Sequence, residues 1–219
     1  DVRVRGTWRG SDPHTELGLG TKKQTERHLT VAVSGLHKQR NALADLASEA
    51  RVGVAAHEAC VALATFQKVR RRMELRGAIK AGQGDIELID DFAHHPTAIR
   101  TTVDGLRALL DAQSHNTARI LAVFEPRSNT MKLGAMKAQL PDSLTQADLV
   151  FCHTAGLDWD AAAALLPVGQ RATCTDNIDE WVRRVTRAAR AGDRIVCMSN
   201  GGFSGIHDKL LDALQAKFA

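Results

Sequence analysis

The chain has 219 residues, 44% of them hydrophobic, which is enough to bury the core of one large domain or two modest ones. Its 29 basic residues are interleaved with 25 acidic ones, and the formal net charge is only +4. This mild, interleaved charge leaves a small phosphate-bearing ligand as plausible a partner as nucleic acid, so charge alone does not decide the function.

The cysteines and the apolar runs bear on the cellular compartment. Cys60, Cys152, Cys174 and Cys197 are far apart, without a C-x-x-C pair or a histidine at metal-ligand spacing. We interpret them as reduced core residues, which predicts a cytoplasmic protein. No apolar stretch approaches the roughly 20 residues that span a bilayer, and the first ten residues do not resemble a signal peptide. We expect no export and, because the chain opens within a strand-like pattern, a piece of a longer protein.

Residues 1–78 predict the end of one α/β domain. Two strand-like runs, Asp1–Gly6 and Leu29–Ser34, flank a polar stretch with glycines that we interpret as a loop. Two helical patterns follow, over Asn41–Ala50 and Ala56–Val69. The segment Arg76–Gly84 is the most linker-like in the chain, so we place a domain boundary there, between residues 78 and 79.

Residues 79–219 predict a second domain, in which apolar runs alternate with amphipathic segments. This alternation is typical of an open, mostly parallel sheet in an α/β fold. The predicted strands are Ile86–Ile89, Arg119–Phe124, Leu149–His153, Arg171–Cys174 and Arg194–Ser199. The predicted helices are Thr97–Leu110, Ile178–Ala189 and one that carries apolar residues from Ile206 to Phe218.

The loop after the first of these strands is rich in titratable side chains. It reads DDFAHHPT, from Asp90 to Thr97. In a parallel sheet, ligands gather at the carboxyl ends of strands, where a carboxylate such as Asp91 could accept ribose hydroxyls and an imidazole could face a phosphate or carboxylate. Two alternatives stay open: solvated turn residues, or a metal site for which the sequence supplies no complete ligand set.

Two further loops follow predicted strands. In the first, Arg127 offers a planar fork for a carboxylate, with Ser128 and Asn129 as neutral donors; the alternative is an ordinary turn with a solvent-facing arginine. In the second, Ser199–Gly205, glycines let backbone N–H groups approach an anion closely. We expect all three loops to open onto the same edge of one sheet.

These motifs resemble the Mur ligase family, ATP-dependent enzymes that join amino acids or peptides to UDP-N-acetylmuramate. The resemblance lies in DDFAHHPTAIRTT, EPRSNTMKLG and MSNGGFSGIHDKLL, with RRRMELRG upstream, and covers about residues 29–219. The motifs are most similar to the peptidoglycan-recycling branch, which takes the tripeptide L-alanyl-γ-D-glutamyl-meso-diaminopimelate. The resemblance implies a Rossmann-like C-terminal domain, preceded by the end of the central ATPase domain.

The resemblance also implies roles on the nucleotide side. Asp91 would hold the ATP ribose, Asn41 at the opening of its helix would contact the adenine, and Arg72 would meet the phosphates. One position departs from the family, because Lys38 stands where the pattern His-Asn-x-x-Asn has its first asparagine. His94 and His95 match the family's histidine pair, near the transferred phosphate or the attacking amine.

On the acceptor side, the resemblance implies two groups of residues. The carboxylate of the incoming peptide would be held by Arg127, Ser128 and Asn129. Candidates for its diaminopimelate end are Asn200, Gly201 and Gly202.

The family pattern further implies that the phosphate loop and most Mg²⁺ ligands lie on other domains of the same enzyme. We therefore expect UDP-N-acetylmuramate, ATP and the tripeptide as ligands, with no nucleic acid or membrane, and no catalysis by this chain alone. The alternatives are a non-catalytic nucleotide- or peptide-binding module and a metal hydrolase built on the histidine loop.

Overall fold

The computed structural model describes residues 5–9, 15–21, 24–31, 36–65, 70–112 and 117–219. It divides into two compact units, one of Asp1–Lys68 with Ala108–Asn116 and one of Val69–Arg107 with Thr117–Ala219. Within the described ranges, no helix is both long and apolar enough to cross a bilayer. The four cysteines are free, and all but Cys174 are buried.

The first unit begins with an antiparallel sheet of three strands, β1 (Arg5–Arg9), β2 (Thr15–Thr21) and β3 (Gln24–Val31). Helices α1 (Leu36–Arg51) and α2 (Ala56–Thr65) follow; residues 32–35 and 66–69 lie outside the described ranges. The prediction of a loop between two strands was wrong, because β2 pairs with both neighbours. Its backbone hydrogen bonds outweigh the low strand propensity of its glycines.

The second unit is built on a sheet of six strands. They are β4 (Glu74–Ile79), β5 (Ile86–Asp91), β6 (Ile120–Phe124), β7 (Leu149–His153), β8 (Ala172–Thr175) and β9 (Arg194–Met198). Their order is β4-β5-β9-β6-β7-β8, and only β4 runs antiparallel to its neighbour. The predicted α/β class with a mostly parallel sheet is confirmed.

Helices pack against this sheet. The α-helices that follow β4 in the sequence are α3 (Pro96–Ala112), whose residues from Ala108 onward belong to the first unit, α4 (Asn129–Lys132), α5 (Leu140–Ser143), α6 (Ala161–Ala164), α7 (Ile178–Ala188) and α8 (Ile206–Phe218). Trp181 and Val185 of α7 and Leu210 of α8 join one core cluster with alternate residues of the central strands. The intervening strand residues, such as Ala122, are equally buried, so these strands read as continuous apolar runs.

One predicted linker is part of this sheet. The segment Arg76–Gly84 begins inside β4, which pairs with β5, so the linker prediction was wrong for its first residues. Ile79 and Ala81 are buried in the core cluster, and this burial fixes a glycine-containing segment against the sheet. The compact units divide at Lys68 and Val69, upstream of the predicted domain boundary at residue 78.

Candidate functional site

Three motif-bearing loops leave the same edge of the six-stranded sheet. Strands β5, β9 and β6 are adjacent and parallel, and Asp91 and Phe124 both pair with Met198 at their carboxyl ends. Two backbone hydrogen bonds continue this alignment into the loops: Ser199 N–H donates to Asp91 O (3.2 Å) and Glu125 N–H donates to Met198 O (3.1 Å). The expectation of a shared edge is therefore confirmed.

Asp91 is the last residue of β5, with its carboxylate turned inward. It is 3% exposed and accepts three hydrogen bonds: from Met73 N–H (2.9 Å), Ala93 N–H (2.9 Å) and the Thr102 hydroxyl (3.0 Å). The aspartates were expected just past the strand, but both lie within it. In this arrangement Asp91 holds the loop before β4 and the turn after β5, and its carboxylate is not presented to solvent as a ribose contact requires.

Asp90 is also buried, at 2% exposure, and lies close to one arginine and one histidine. Arg71 Nε lies 3.2 Å from one carboxylate oxygen, and His207 Nε2 lies 3.2 Å from the other, off the direction of a good hydrogen bond. Burial would raise the pKa of the Asp90 carboxyl, but His207 and Arg71 together outweigh it and hold the pKa below its usual value. The carboxylate is therefore charged, as a buried anion paired with the Arg71 guanidinium can be.

The loop that carries Arg72, the residue expected to contact the ATP phosphates, has an unusual backbone. Arg71 and Met73 have φ of 58° and 52°, in the left-handed region that costs ordinary residues about 1 kcal/mol or more. Arg72 lies between them and is exposed. Its guanidinium carbon stands 5.5 Å from the ring centroid of Phe92, which Arg71 approaches at 5.3 Å. The loop thus presents the exposed guanidinium of Arg72 beside the end of β5.

The two histidines after β5 have different hydrogen bonds. His94 Nδ1 lies 2.9 Å from Phe92 O, so this nitrogen carries the proton and Nε2 keeps its lone pair in the neutral ring. His95 Nδ1 instead accepts a long hydrogen bond (3.4 Å) from Ala98 N–H at the start of α3. Burial, and then the charge on His94, lower the pKa of His95 below its ordinary value. The rings stack edge to face at 5.2 Å.

Arg127 lies over the glycine loop. Its half-exposed side chain covers Gly201, where a Cβ would come within 2.8 Å of its Cδ, Nε and Nη1 atoms. Glu125 Oε1 is 3.8 Å from Arg127 Nη1, while Glu125 Oε2 accepts a hydrogen bond from the Ser199 hydroxyl (2.8 Å). The same hydroxyl accepts a hydrogen bond from Gly201 N–H (3.0 Å). The loop after β6 and the loop after β9 are thereby brought together.

The remaining acceptor candidates lie around this contact. Ser128 is the N-cap of α4 and accepts a hydrogen bond from Met131 N–H (3.4 Å), while Asn129 is the exposed first residue of that helix. Asn200 Oδ1 is buried and has no hydrogen-bond partner among the described residues. Gly202 is exposed. Buried oxygens without partners are rare, and no described residue donates a hydrogen bond to this one.

Asn41 does not lie at the opening of its helix, where the sequence analysis placed it. Helix α1 begins at Leu36, so Asn41 lies inside the helix. Its side chain is exposed and it belongs to the first compact unit. The helix starts five residues earlier than predicted, because Leu36 to Arg40 already have helical backbone.

A family model for the glutamate ligase domain of Mur ligases matches residues 71–201, and the chain belongs to this family. It is 45% identical over 84% of its length to the UDP-N-acetylmuramate–L-alanyl-γ-D-glutamyl-meso-2,6-diaminoheptandioate ligase of Escherichia coli. A crystallised murein peptide ligase from Psychrobacter arcticus is 35% identical and superimposes with a TM-score of 0.72 over 97% of this chain. A MurF ligase from Thermotoga maritima, solved with ADP, shares the fold at 14% identity, with a TM-score of 0.64 over the whole chain.

This chain spans less than half of each of these proteins: 38% of the E. coli ligase, 44% of the P. arcticus ligase and 47% of the T. maritima ligase.

Sequence reasoning missed the residues that tie the loops together. Arg71, Glu125, Ser199 and His207 were not singled out, although each lies inside or beside a quoted motif. Arg71 was hidden in a run of three arginines, and such a run is usually a solvated face. A usable signal was the position of Ser199 directly after β9, where a hydroxyl can bond to the next strand's loop.

Proposed function

We propose that this chain is part of a cytoplasmic ATP-dependent ligase that joins the tripeptide L-alanyl-γ-D-glutamyl-meso-diaminopimelate to UDP-N-acetylmuramate in peptidoglycan recycling. The observation that carries the proposal is the convergence of the three family motifs on one sheet edge. There Arg127 lies against Gly201, and the backbone carbonyl of Asp91 accepts a hydrogen bond from Ser199 N–H. The names of the E. coli and P. arcticus relatives support the substrate class.

The nucleotide side of the proposal rests on Arg72, the exposed cation beside β5. A guanidinium there suits a phosphate, because it offers several donors in one plane. Asp91 supports the same loop through its bond to Met73 N–H, and we propose that a ribose contact by Asp91 requires this bond to open. Asn41 stays a candidate adenine contact on α1. Among the described residues, no cluster of acidic, histidine or cysteine side chains suits Mg²⁺.

The chemistry proposed is acyl transfer. ATP phosphorylates the carboxylate of UDP-N-acetylmuramate and leaves as ADP; the free amine of the tripeptide then forms the amide bond and expels phosphate. The amine must lose a proton to become a nucleophile. His94 is the better placed of the two histidines to receive this proton. Its Nε2 lone pair has no hydrogen bond within the described residues, whereas His95 Nδ1 already accepts one from Ala98 N–H of α3.

The acceptor side rests on Arg127. Its guanidinium is half exposed and held near Glu125 at 3.8 Å, so it can form a bidentate pair with a peptide carboxylate. Ser128 and Asn129 would add neutral donors at the start of α4. Asn200 would use its unpartnered Oδ1 to accept a hydrogen bond from the diaminopimelate ammonium, beside Gly201 and Gly202.

The test uses the intact ligase with ATP, tripeptide and UDP-N-acetylmuramate. In Arg127→Ala, we expect the KM for tripeptide to rise about 10- to 100-fold and the KM for ATP to stay unchanged, since a charged hydrogen bond contributes about 1.5–3 kcal/mol. Arg72→Ala should show the reverse pattern. Arg183→Ala, an exposed arginine on α7, is the matched control.

Two results would reject the proposal. An unchanged KM for tripeptide in Arg127→Ala would show that Arg127 does not bind the peptide carboxylate. An intact protein that binds ATP and tripeptide but forms no amide would instead identify a non-catalytic binding module.

A further inference from the structure

Arg71 connects the two sides of the proposed site through four hydrogen-bonded contacts. Its backbone N–H donates to Glu74 Oε2 (2.7 Å), and its carbonyl accepts from Phe92 N–H (2.8 Å). Its side chain is part-buried: Nε donates to Asp90 (3.2 Å), and Nη2 donates to Ser199 O (2.6 Å). One residue thereby joins the loop before β4, the end of β5 and the loop after β9.

On the nucleotide side, these contacts hold a strained backbone. Arg71 and Met73 both have positive φ, and neither is a residue type that adopts it readily. Such a conformation persists only where neighbouring contacts over-determine it. Here Glu74, Phe92 and Asp90 fix Arg71, so Arg72 is presented from a backbone whose direction depends on its neighbour.

On the peptide side, the same guanidinium fixes one peptide plane. Ser199 O belongs to the peptide group whose N–H is that of Asn200, so the bond from Arg71 orients both ends of this group. The Ser199 hydroxyl then accepts from Gly201 N–H, the residue that Arg127 covers. The direction of the glycine loop is therefore set in part from the loop that carries Arg72.

We propose that Arg71 is a positioning residue that couples the nucleotide-binding loop 70–73 to the peptide-binding loop 199–205. The inference rests on the proposed function of these two loops. Arginine is required because one planar group must reach the Asp90 carboxylate and the Ser199 carbonyl at once. A lysine ammonium is a point donor on a flexible stem, and it cannot reproduce this two-ended geometry.

The experiment compares Arg71→Lys with the matched variant Arg76→Lys in the intact ligase. Arg76 is an exposed residue of β4 whose nearest carboxylate is 3.9 Å away. In Arg71→Lys, we expect the KM for ATP and the KM for tripeptide each to rise about tenfold, with the KM for UDP-N-acetylmuramate unchanged. Amide hydrogen exchange at Asn200 and Gly201 should quicken by a similar factor without substrates. Arg76→Lys should match the wild type in all four measurements.

The outcomes separate the coupling from the function it rests on. A wild-type protein without ATP- and tripeptide-dependent amide formation rejects the proposed function, whatever Arg71 does. An active wild type in which Arg71→Lys changes neither KM, or only one of them, overturns the coupling. If Arg71→Lys does not fold, Asp90→Asn takes its place, because it keeps the shape of the side chain and removes the charge that faces Arg71 Nε. We expect the same rise in the KM for ATP and the KM for tripeptide. If neither KM rises in Asp90→Asn, the coupling is overturned.

Discussion

Replacing Gly201 with alanine should impair peptide binding without harming the fold. The added Cβ would lie 2.8 Å from three side-chain atoms of Arg127, closer than non-bonded atoms approach a Cβ in proteins. The backbone itself can accept alanine, because Gly201 is not among the glycines with positive φ. Since the Arg127 side chain is 49% exposed, it can swing away from the new methyl group. We therefore expect Arg127, and not the sheet, to move.

The magnitude follows from these contacts. Gly→Ala at a compatible backbone position restricts the unfolded chain and stabilises by about 0.4–1 kcal/mol, which offsets the cost of moving one exposed side chain. The midpoint of thermal unfolding should therefore change by only a few degrees. Losing the hydrogen bond of a displaced Arg127 to the peptide carboxylate costs about 1.5–3 kcal/mol, a rise of about 10- to 100-fold in the KM for tripeptide. The KM for ATP should not change.

The assay is phosphate release by the intact ligase, with a thermal melt of each variant. Gly105→Ala, in α3, is the matched control, because a Cβ at Gly105 meets no atom within 4 Å and its φ is not positive. Gly105→Ala should leave both KM values unchanged. Equal tripeptide KM values for the two alanine variants would refute the reasoning, as would a large drop in the melting temperature of Gly201→Ala alone.

Three further predictions concern the sheet and its edge. Arg119→Ala should destabilise the protein by about 3–5 kcal/mol in urea unfolding, because Asp193, which is 1% exposed, would lose the guanidinium that meets both of its oxygens; a cost below about 1 kcal/mol would contradict this. His95 should titrate by NMR below its ordinary value near 6.5, and its pKa should rise in His94→Gln. The unfolded chain then binds this proton more readily than the folded chain does. The contribution of neutral His95 to the free energy of unfolding is therefore fully present above pH 6.5 and is lost as the pH falls through the lowered pKa. Asp91→Asn should raise the KM for ATP, because the new amide nitrogen cannot accept all three bonds that the carboxylate accepts; an unchanged KM would separate Asp91 from nucleotide binding.

The parts of the fold that sequence predicted are those with a strong local pattern. Strand β7 has the predicted bounds, and β5, β6, β8 and β9 differ from theirs by one or two residues at an end. Strands β2 and β4 were missed, since their glycines and charges read as loop or linker. Both are fixed by pairing with neighbouring strands, and a local pattern does not record such pairing.

The candidate site shows the same division. The three loops were predicted from strand ends and motif residues, and their common edge followed from parallel pairing. The contact between Arg71 and Ser199 was beyond this reasoning, because it joins residues 128 positions apart. The buried state of Asp91 was missed for a related reason: its three donors come from the loop before β4, the turn after β5 and α3.

The position of β9 in the sheet has a consequence for synthesis of the protein. β5 and β6 do not pair with each other, because β9, which follows both of them in the sequence, fills the place between them. A nascent chain leaving the ribosome therefore cannot join the β4–β5 pair to the β6–β7 pair until β9 has emerged. Premature termination before Arg194 would leave those pairs without their shared partner, and the Asp91, Arg127 and Asn200 loops could not be assembled.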